Sequence, residues 1–358
     1  MNLLIQPGDG SKALVDGING ATKSIEMVIF RFDRREIEDA LRAAAARGVF
    51  IHTLVTYTNR GGEKHLRQLE QRLLEAGVTV ARTAGDLSRY HNKLMIIDRR
   101  VLFLLAFNFT SMDIDHSRSF GIVTEEAGFV REAVKLFEAD TTRQPYTADL
   151  DTFVVSPVNA RKQLAEFIGG AQERLWIYDP QITDKQIMRL LQERAKAGVD
   201  IRVLGRAGKG GADLSARKLS TMRLHTRTII RDQRQAFVGS QSLRRAELDQ
   251  RREVGLIVDD LEAVGKLAAT FESDWASADN VTEQRETPTL KVVRKAVKSV
   301  MKDLPPVSTI IKDAVEGLKA EDGSATLDSK QIEDTVKAIK VAVKESVAEA
   351  ILEGAKEK

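Results

Sequence analysis

One eight-residue pattern occurs twice in this chain, and the constancy of its spacing limits the fold more than any other feature. His91-Asn92-Lys93-Leu94-Met95-Ile96-Ile97-Asp98 is matched by His225-Thr226-Arg227-Thr228-Ile229-Ile230-Arg231-Asp232, 134 residues later. The register holds beyond the motif, since Asn108 falls opposite Ser242 and Gly121 opposite Gly255. Farther upstream, at an offset of 150, Pro7 matches Pro157, Ala21 matches Ala171, Ile25 matches Leu175, and Gly48-Val49 matches Gly198-Val199. The chain is therefore a duplicated module with about sixteen extra residues in the first copy between Gly48 and His91. Two similar halves commonly pack about a pseudo-twofold axis, which would bring the two histidine segments face to face.

Each motif runs from polar residues into an apolar, β-prone stretch, so the spacing predicts a strand whose first residues carry the chemistry. Alternate residues of a strand share a face, which would set His91 beside Lys93. An imidazole next to a fixed cation suits a phosphate ester. Asp98 has the opposite parity and falls at the turn Asp98-Arg99-Arg100, where capping is its expected task.

The doubled HxK(x4)D pattern, each copy followed by a segment related to Gly-Ser-x-Asn, resembles the phospholipase D superfamily, which includes cardiolipin synthases and metal-independent nucleases. The resemblance covers roughly residues 1 to 280. It implies two α/β modules sharing one site, with histidine attacking phosphorus and the opposite imidazolium protonating the departing alcohol. On this reading His91 is the nucleophile and His225, buttressed by Glu253, the general acid; the reverse assignment stays open. Lys93, Arg227, Asn108 and Ser240 would hold the phosphate, while Asp98 and Asp232 are supporting or structural. No metal or cofactor is expected, because Lys93 and Arg227 supply positive charge and the five histidines show no ligand spacing.

The chain also departs from the pattern. Arg227 replaces lysine, keeping the charge but changing its shape. Leu105-Ala106-Phe107-Asn108 retains only Asn108 of the first Gly-Ser-x-Asn, and Gly239-Ser240 is retained in the second with Ser242 in place of Asn. The carboxylate that would hold an imidazole is Glu253 in the second copy but Ser119 in the first. Asp113 and Asp115 are alternatives to it, although each reads more simply as a loop or capping residue.

Composition narrows the setting. There is no cysteine among the 358 residues, which excludes disulfides and thiolate chemistry and fits a reducing, cytoplasmic compartment. A net charge of +3 is too small to argue for nucleic acid, and no apolar run approaches the roughly 20 residues that span a bilayer. Strands at 24–30 and 49–55 alternate with helices at 35–47 and 63–76, so the expected fold class is α/β, two tandem modules at 1–147 and 148–284. An all-helical extension would occupy 285–358. There, Leu290 to Lys302 is a basic amphipathic helix that suits either an anionic membrane surface or the enzyme's own apolar surface. Lys330 to Glu353 is a longer helix compatible with homo-oligomer formation. The expected substrate is a phospholipid, with a nuclease or a catalytically weak phosphate-binding scaffold as alternatives. Few aromatics, 5% of residues, weigh against a stacking nucleic-acid groove.

Overall fold

The computed structural model describes residues 1–57, 63–208 and 214–280. The expected helices at 290–302 and 330–353, and most of the glycine-rich stretch after Ala207, lie outside the described residues. The first half contains β1 (Asn2–Gln6), α1 (Lys12–Gly20), β2 (Ser24–Ile29), α2 (Arg35–Ala46), β3 (Phe50–Val55), α3 (Glu63–Glu75) and β4 (Thr79–Arg82). It continues with β5 (Arg89–Tyr90), β6 (Leu94–Ile97), β7 (Val101–Leu105), α4 (Ser111–Asp115), β8 (Ser117–Thr124) and α5 (Ala127–Thr142).

The second half repeats the series. Its elements are β9 (Phe153–Ser156), α6 (Ala160–Gly169), β10 (Arg174–Ile182), α7 (Lys185–Lys196), β11 (Asp200–Ala207) and β12 (Ser215–Lys218). They are followed by β13 (Arg223–Leu224), β14 (Arg227–Arg231), β15 (Gln235–Gly239), α8 (Arg245–Asp249), β16 (Arg251–Val258) and α9 (Leu261–Ser277). The extra residues of the first copy form α3.

Each half builds one mixed sheet with the same strand order, β1-β8-β7-β6-β2-β3-β4 and β9-β16-β15-β14-β10-β11-β12. Parallel pairing of β2 with β3 and of β10 with β11 follows from the crossover helices α2 and α7, whereas the motif strands β6 and β14 return antiparallel. Near-continuous apolar runs such as Met27-Val28-Ile29 mark strands buried on both faces. On the outer face of the first sheet, Leu14, Ile18, Ile37, Leu41 and Leu69 of α1 to α3 pack against Ile25, Met27 and Met95. Leu164, Ile168, Ile187 and Leu191 of α6 and α7 do the same on the second sheet.

A third cluster joins the halves. Leu136 and Phe137 of α5, Leu267 and Phe271 of α9, and inward residues of both sheets such as Leu94, Ile122, Tyr178 and Val238 form one continuous core. Met1–Val281 accordingly makes a single compact unit in which the two modules share an interior.

The strand expected to start at the motif histidine begins later. Residues 91–93 form a link between β5 and β6, so the histidine lies at a junction and not within a ladder.

Candidate functional site

The junction is where the chain changes partners. After β4, residues Arg89 and Tyr90 pair in parallel with Arg251 and Arg252 of β16, in the opposite half, and the His91 amide donates to the Arg252 carbonyl at 2.8 Å. The second half reciprocates: Arg223 and Leu224 pair with Ser117 and Arg118 of β8, and the His225 amide donates to the Arg118 carbonyl at 3.0 Å. Every residue of one pairing lies 134 positions from its counterpart in the other. Such reciprocity is what a pseudo-twofold relation requires. Two buried ion pairs hold the exchange, Arg118 with Asp274 at 2.7 Å and Arg252 with Asp140 at 3.0 Å, again related by 134. Removing one partner of such a pair strands the other charge, at a cost of about 3–5 kcal/mol.

The exchange lodges His91 and His225 in one buried cluster. Each is 7% exposed, and each is close enough to Lys93 and Arg227 for those cations to oppose its protonation. Burial is the larger cause; it takes His91 well below the usual imidazole range and His225 down to about 4. His225 adds its own repulsion to His91, so the two rings share one electrostatic environment.

Carboxylates orient both rings, from positions that differ. Glu253, fully buried, approaches Nδ1 of His91 at 2.8 Å. If Nδ1 donates to it, the Nε2 lone pair is left for substrate. Glu253 therefore belongs to His91 and not to His225, contrary to the expectation from sequence; the strand exchange sets β16 beside the other half's histidine. Its own acidity is weakened by burial, against the pull of Lys93. On the other side, Asp113 from α4 comes to 3.0 Å from Nε2 of His225, off the direction a strong hydrogen bond would take. Arg223 Nη2 lies 3.1 Å from Nδ1 of the same ring. A guanidinium only donates, so Nδ1 is the acceptor and the proton of the neutral ring resides on Nε2, facing Asp113. Asp113 resists burial, which would weaken its acidity; contacts with His225, Asn108 and Arg223 hold its carboxyl well below the usual range.

Lys93 is 1% exposed and donates through Nζ to the His91 carbonyl; Arg227 donates through Nη1 to the carbonyl of His225. Burial brings the Lys93 ammonium down to about 7, against the attraction of Glu253. Phe30, at the end of β2, sits edge-on to His91 with centroids 4.5 Å apart and lies 5.4 Å from Lys93 Nζ. It is a site residue that motif reading misses, as are Arg223 and Glu247.

The remaining expected residues divide. Asn108 gives its backbone and side-chain amides to Asp113, so it secures the partner of His225. The Ser240 hydroxyl accepts from the Val254 amide at 3.1 Å and lies by Glu253, whose acidity it strengthens. Asp98 and Asp232 stand away from the chemistry. Asp98 accepts from the amides of Thr22, Lys23 and Ser24 and falls to about 2, the amides together outweighing burial. Asp232 accepts from the amides of Gln172, Glu173 and Arg174. Each pins the motif hairpin to the start of the neighbouring strand, β2 or β10. Among the described residues no group of three or more potential ligands could hold a metal ion.

Two mirrored lobes that contribute one histidine and one cation apiece to a common interior define a duplicated α/β class whose site needs both copies. The chain belongs to the phospholipase D superfamily: residues 14–141 and 164–275 match the family described as cardiolipin synthase, PLD-like domain. It is similar to mitochondrial cardiolipin hydrolase from Danio rerio, 28% identical over 130 residues, which are 35% of this chain and 56% of that protein. The Mus musculus protein of the same name is 27% identical over 128 residues, 35% of this chain and 55% of that one. The chain thus spans about half the length of the curated relatives it matches. The fold is also that of phosphatidylserine synthase from Haemophilus influenzae, with a TM-score of 0.61 at 11% identity, covering 84% of this chain and 93% of that one. Polyphosphate kinase from Porphyromonas gingivalis superposes with a TM-score of 0.64 at 18% identity over 76% of this chain and 50% of its own. No helix among the described residues is long and apolar enough to cross a membrane.

Proposed function

We propose that the chain is a phospholipase D-type phosphodiesterase acting on phospholipid head groups by hydrolysis or phosphatidyl transfer. The observation that carries this reading is the reciprocal strand exchange, which gathers two imidazoles and two cations into one buried cluster. Nε2 of His91 attacks phosphorus, forming an N–P bond as the P–O bond to the head group breaks. In its imidazolium form His225 keeps the Nε2 proton toward Asp113 and, once Arg223 withdraws from Nδ1, transfers the Nδ1 proton to the departing alcohol oxygen. Neutral His225 then takes a proton from water, whose oxygen attacks phosphorus and releases His91, leaving phosphatidic acid; an acceptor alcohol gives a new diester instead. Lys93 and Arg227 neutralise the phosphoryl oxygens in a site where burial strengthens each interaction. The phospholipid class is supported by the family match and by the relatives named as cardiolipin hydrolases.

The test is incubation of the full chain with phosphatidylglycerol vesicles, cardiolipin vesicles and single-stranded DNA separately, in chelator. Release of phosphatidic acid that disappears in His91→Ala is expected. Cleavage of DNA with no lipid turnover would replace the lipid reading by a nuclease, and inactivity on all three would favour a phosphate-binding scaffold.

A further inference from the structure

The duplication makes a specific demand that the sequence fails to meet. Position 119 is the counterpart of Glu253, and hydrogen bonding of the His225 amide to the Arg118 carbonyl brings it beside His225, as that of His91 to Arg252 brings Glu253 beside His91. Residue 119 is serine, fully buried, and its hydroxyl has no hydrogen-bond partner. We propose that Asp113 stands in for the missing carboxylate, from α4 instead of from β8, holding His225 at Nε2 where Glu253 holds His91 at Nδ1, and favouring the imidazolium form. This rests on the phosphodiesterase reading and assigns the second half its own positioning residue.

The counterpart of Asp113 has different partners. Glu247, 134 residues on, makes the same local contact, since its carboxylate accepts from the Ser242 amide at 2.8 Å as Asp113 accepts from Asn108 at 2.8 Å. Glu247, however, faces cations, Arg251 at 3.1 Å and Arg227 at 3.9 Å. Arg251 stands where the first half has Ser117. With a small residue there, Arg223 Nη1 reaches Ser117 Oγ at 3.1 Å and Asp113 Oδ1, and Asp113 Oδ2 is left against the imidazole. Three differences between the halves thus act together: serine and not a carboxylate at 119, serine and not arginine at 117, and Asp113 against the ring. The groups facing His225 are then Asp113, Arg223, Arg227, Lys93 and His91, with Asp113 the anion among them that favours the imidazolium.

The experiment uses the full chain as wild type, Asp113→Asn, Ser119→Glu and the double variant. His225 is titrated by NMR of ring-labelled histidine, with assignment from His225→Gln. Asparagine preserves an oxygen that can accept from Asn108, so the loop keeps its anchor. Asp113→Asn is expected to lower the pKa of His225 by roughly a unit. It should also slow turnover of a phosphodiester with an alkyl leaving group about a hundredfold, largely in kcat, while sparing the burst of nitrophenolate release from a nitrophenyl diester, whose leaving group needs no acid. Ser119→Glu in the Asp113→Asn background should recover about tenfold or more of that loss and raise the His225 pKa again. An unmoved His225 titration, or a loss in the nitrophenyl burst equal to the loss in alkyl-diester turnover, would overturn the assignment. Should Asp113→Asn fail to fold, Ser119→Glu alone must raise the His225 pKa, and no change there would be equally fatal. The titration needs no substrate, so a wild type inactive on every phosphodiester refutes the proposed reaction while leaving the Asp113 contact to stand or fall by the NMR result.

Discussion

The two copies of the module agree in backbone and differ in the side chains that surround the paired histidines. In the first, His91 packs edge-on against Phe30 at the end of β2 and is backed by Glu253, with lysine as its cation. In the second, Pro180 stands at the counterpart of Phe30, Asp113 replaces the strand carboxylate, Arg223 covers one ring nitrogen, and arginine is the cation. Symmetry explains why the rings meet, and its loss explains how they could divide the labour. His91 is oriented by a buried carboxylate on Nδ1 and has Nε2 left for attack. His225 is held by an anion at Nε2, which favours the imidazolium form that a proton donor needs.

The sharpest way to break this comparison is to make the leaving group independent of acid. His91→Ala should abolish turnover of every phosphodiester, whereas His225→Ala should lose ~10²- to 10⁴-fold on an alkyl diester and retain a burst with a nitrophenyl diester. Equal losses on both substrates in both variants would erase the proposed division of roles.

The cations come next. Lys93 is nearly without exposure and a guanidinium is bulkier and planar, so Lys93→Arg should cost on the order of 10²-fold in kcat. Arg227→Lys, which restores the motif in the less exacting half, should change kcat less than tenfold. Steady-state kinetics on the two variants decides whether the asymmetry is functional.

A pH profile separates the halves further. Both His225, at about 4, and Lys93, at about 7, must carry a proton in the proposed reaction, so kcat/KM should fall as pH rises above about 4 and more steeply above about 7. Stability responds with the opposite sign. A buried histidine whose folded pKa lies below its unfolded value binds fewer protons when folded, so His225 lowers stability as pH falls from about 6.5 toward 4. Urea melts should show that acid-side loss reduced in His225→Gln.

The smallest difference concerns the motif aspartates, which treat the halves alike. Asp98→Ala and Asp232→Ala should each destabilise by about 1–2 kcal/mol and leave kcat within about threefold. For Asp98 that contribution is present above the unfolded carboxyl pKa and is lost as pH falls toward about 2. A large kcat loss in either variant would return the aspartates to the chemistry.

The constant offset made the duplicated α/β fold and the histidine pair legible, because a register kept over so many positions requires matching elements. The hairpin of β6 and β7 was equally plain, its turn residues Asp98 and Arg99 taking the positive φ that such tight turns demand. Partner exchange was not legible. β5 and β13 are two residues each, too short to show a period, and their alternation is settled only by the opposite half. That is why Glu253 pairs with the histidine remote from it in sequence. Asp113 was visible as an acidic residue and capable of local explanations; the empty chemistry at Ser119 was the signal that pointed past them.

Most direct of all is to catch the enzyme on its substrate. Labelled phospholipid mixed with the chain, quenched in alkaline detergent and digested, should leave the label on the peptide bearing His91, and His225→Ala should increase the trapped fraction with an activated diester. Label on the His225 peptide, or full turnover in His91→Ala, would contradict the account.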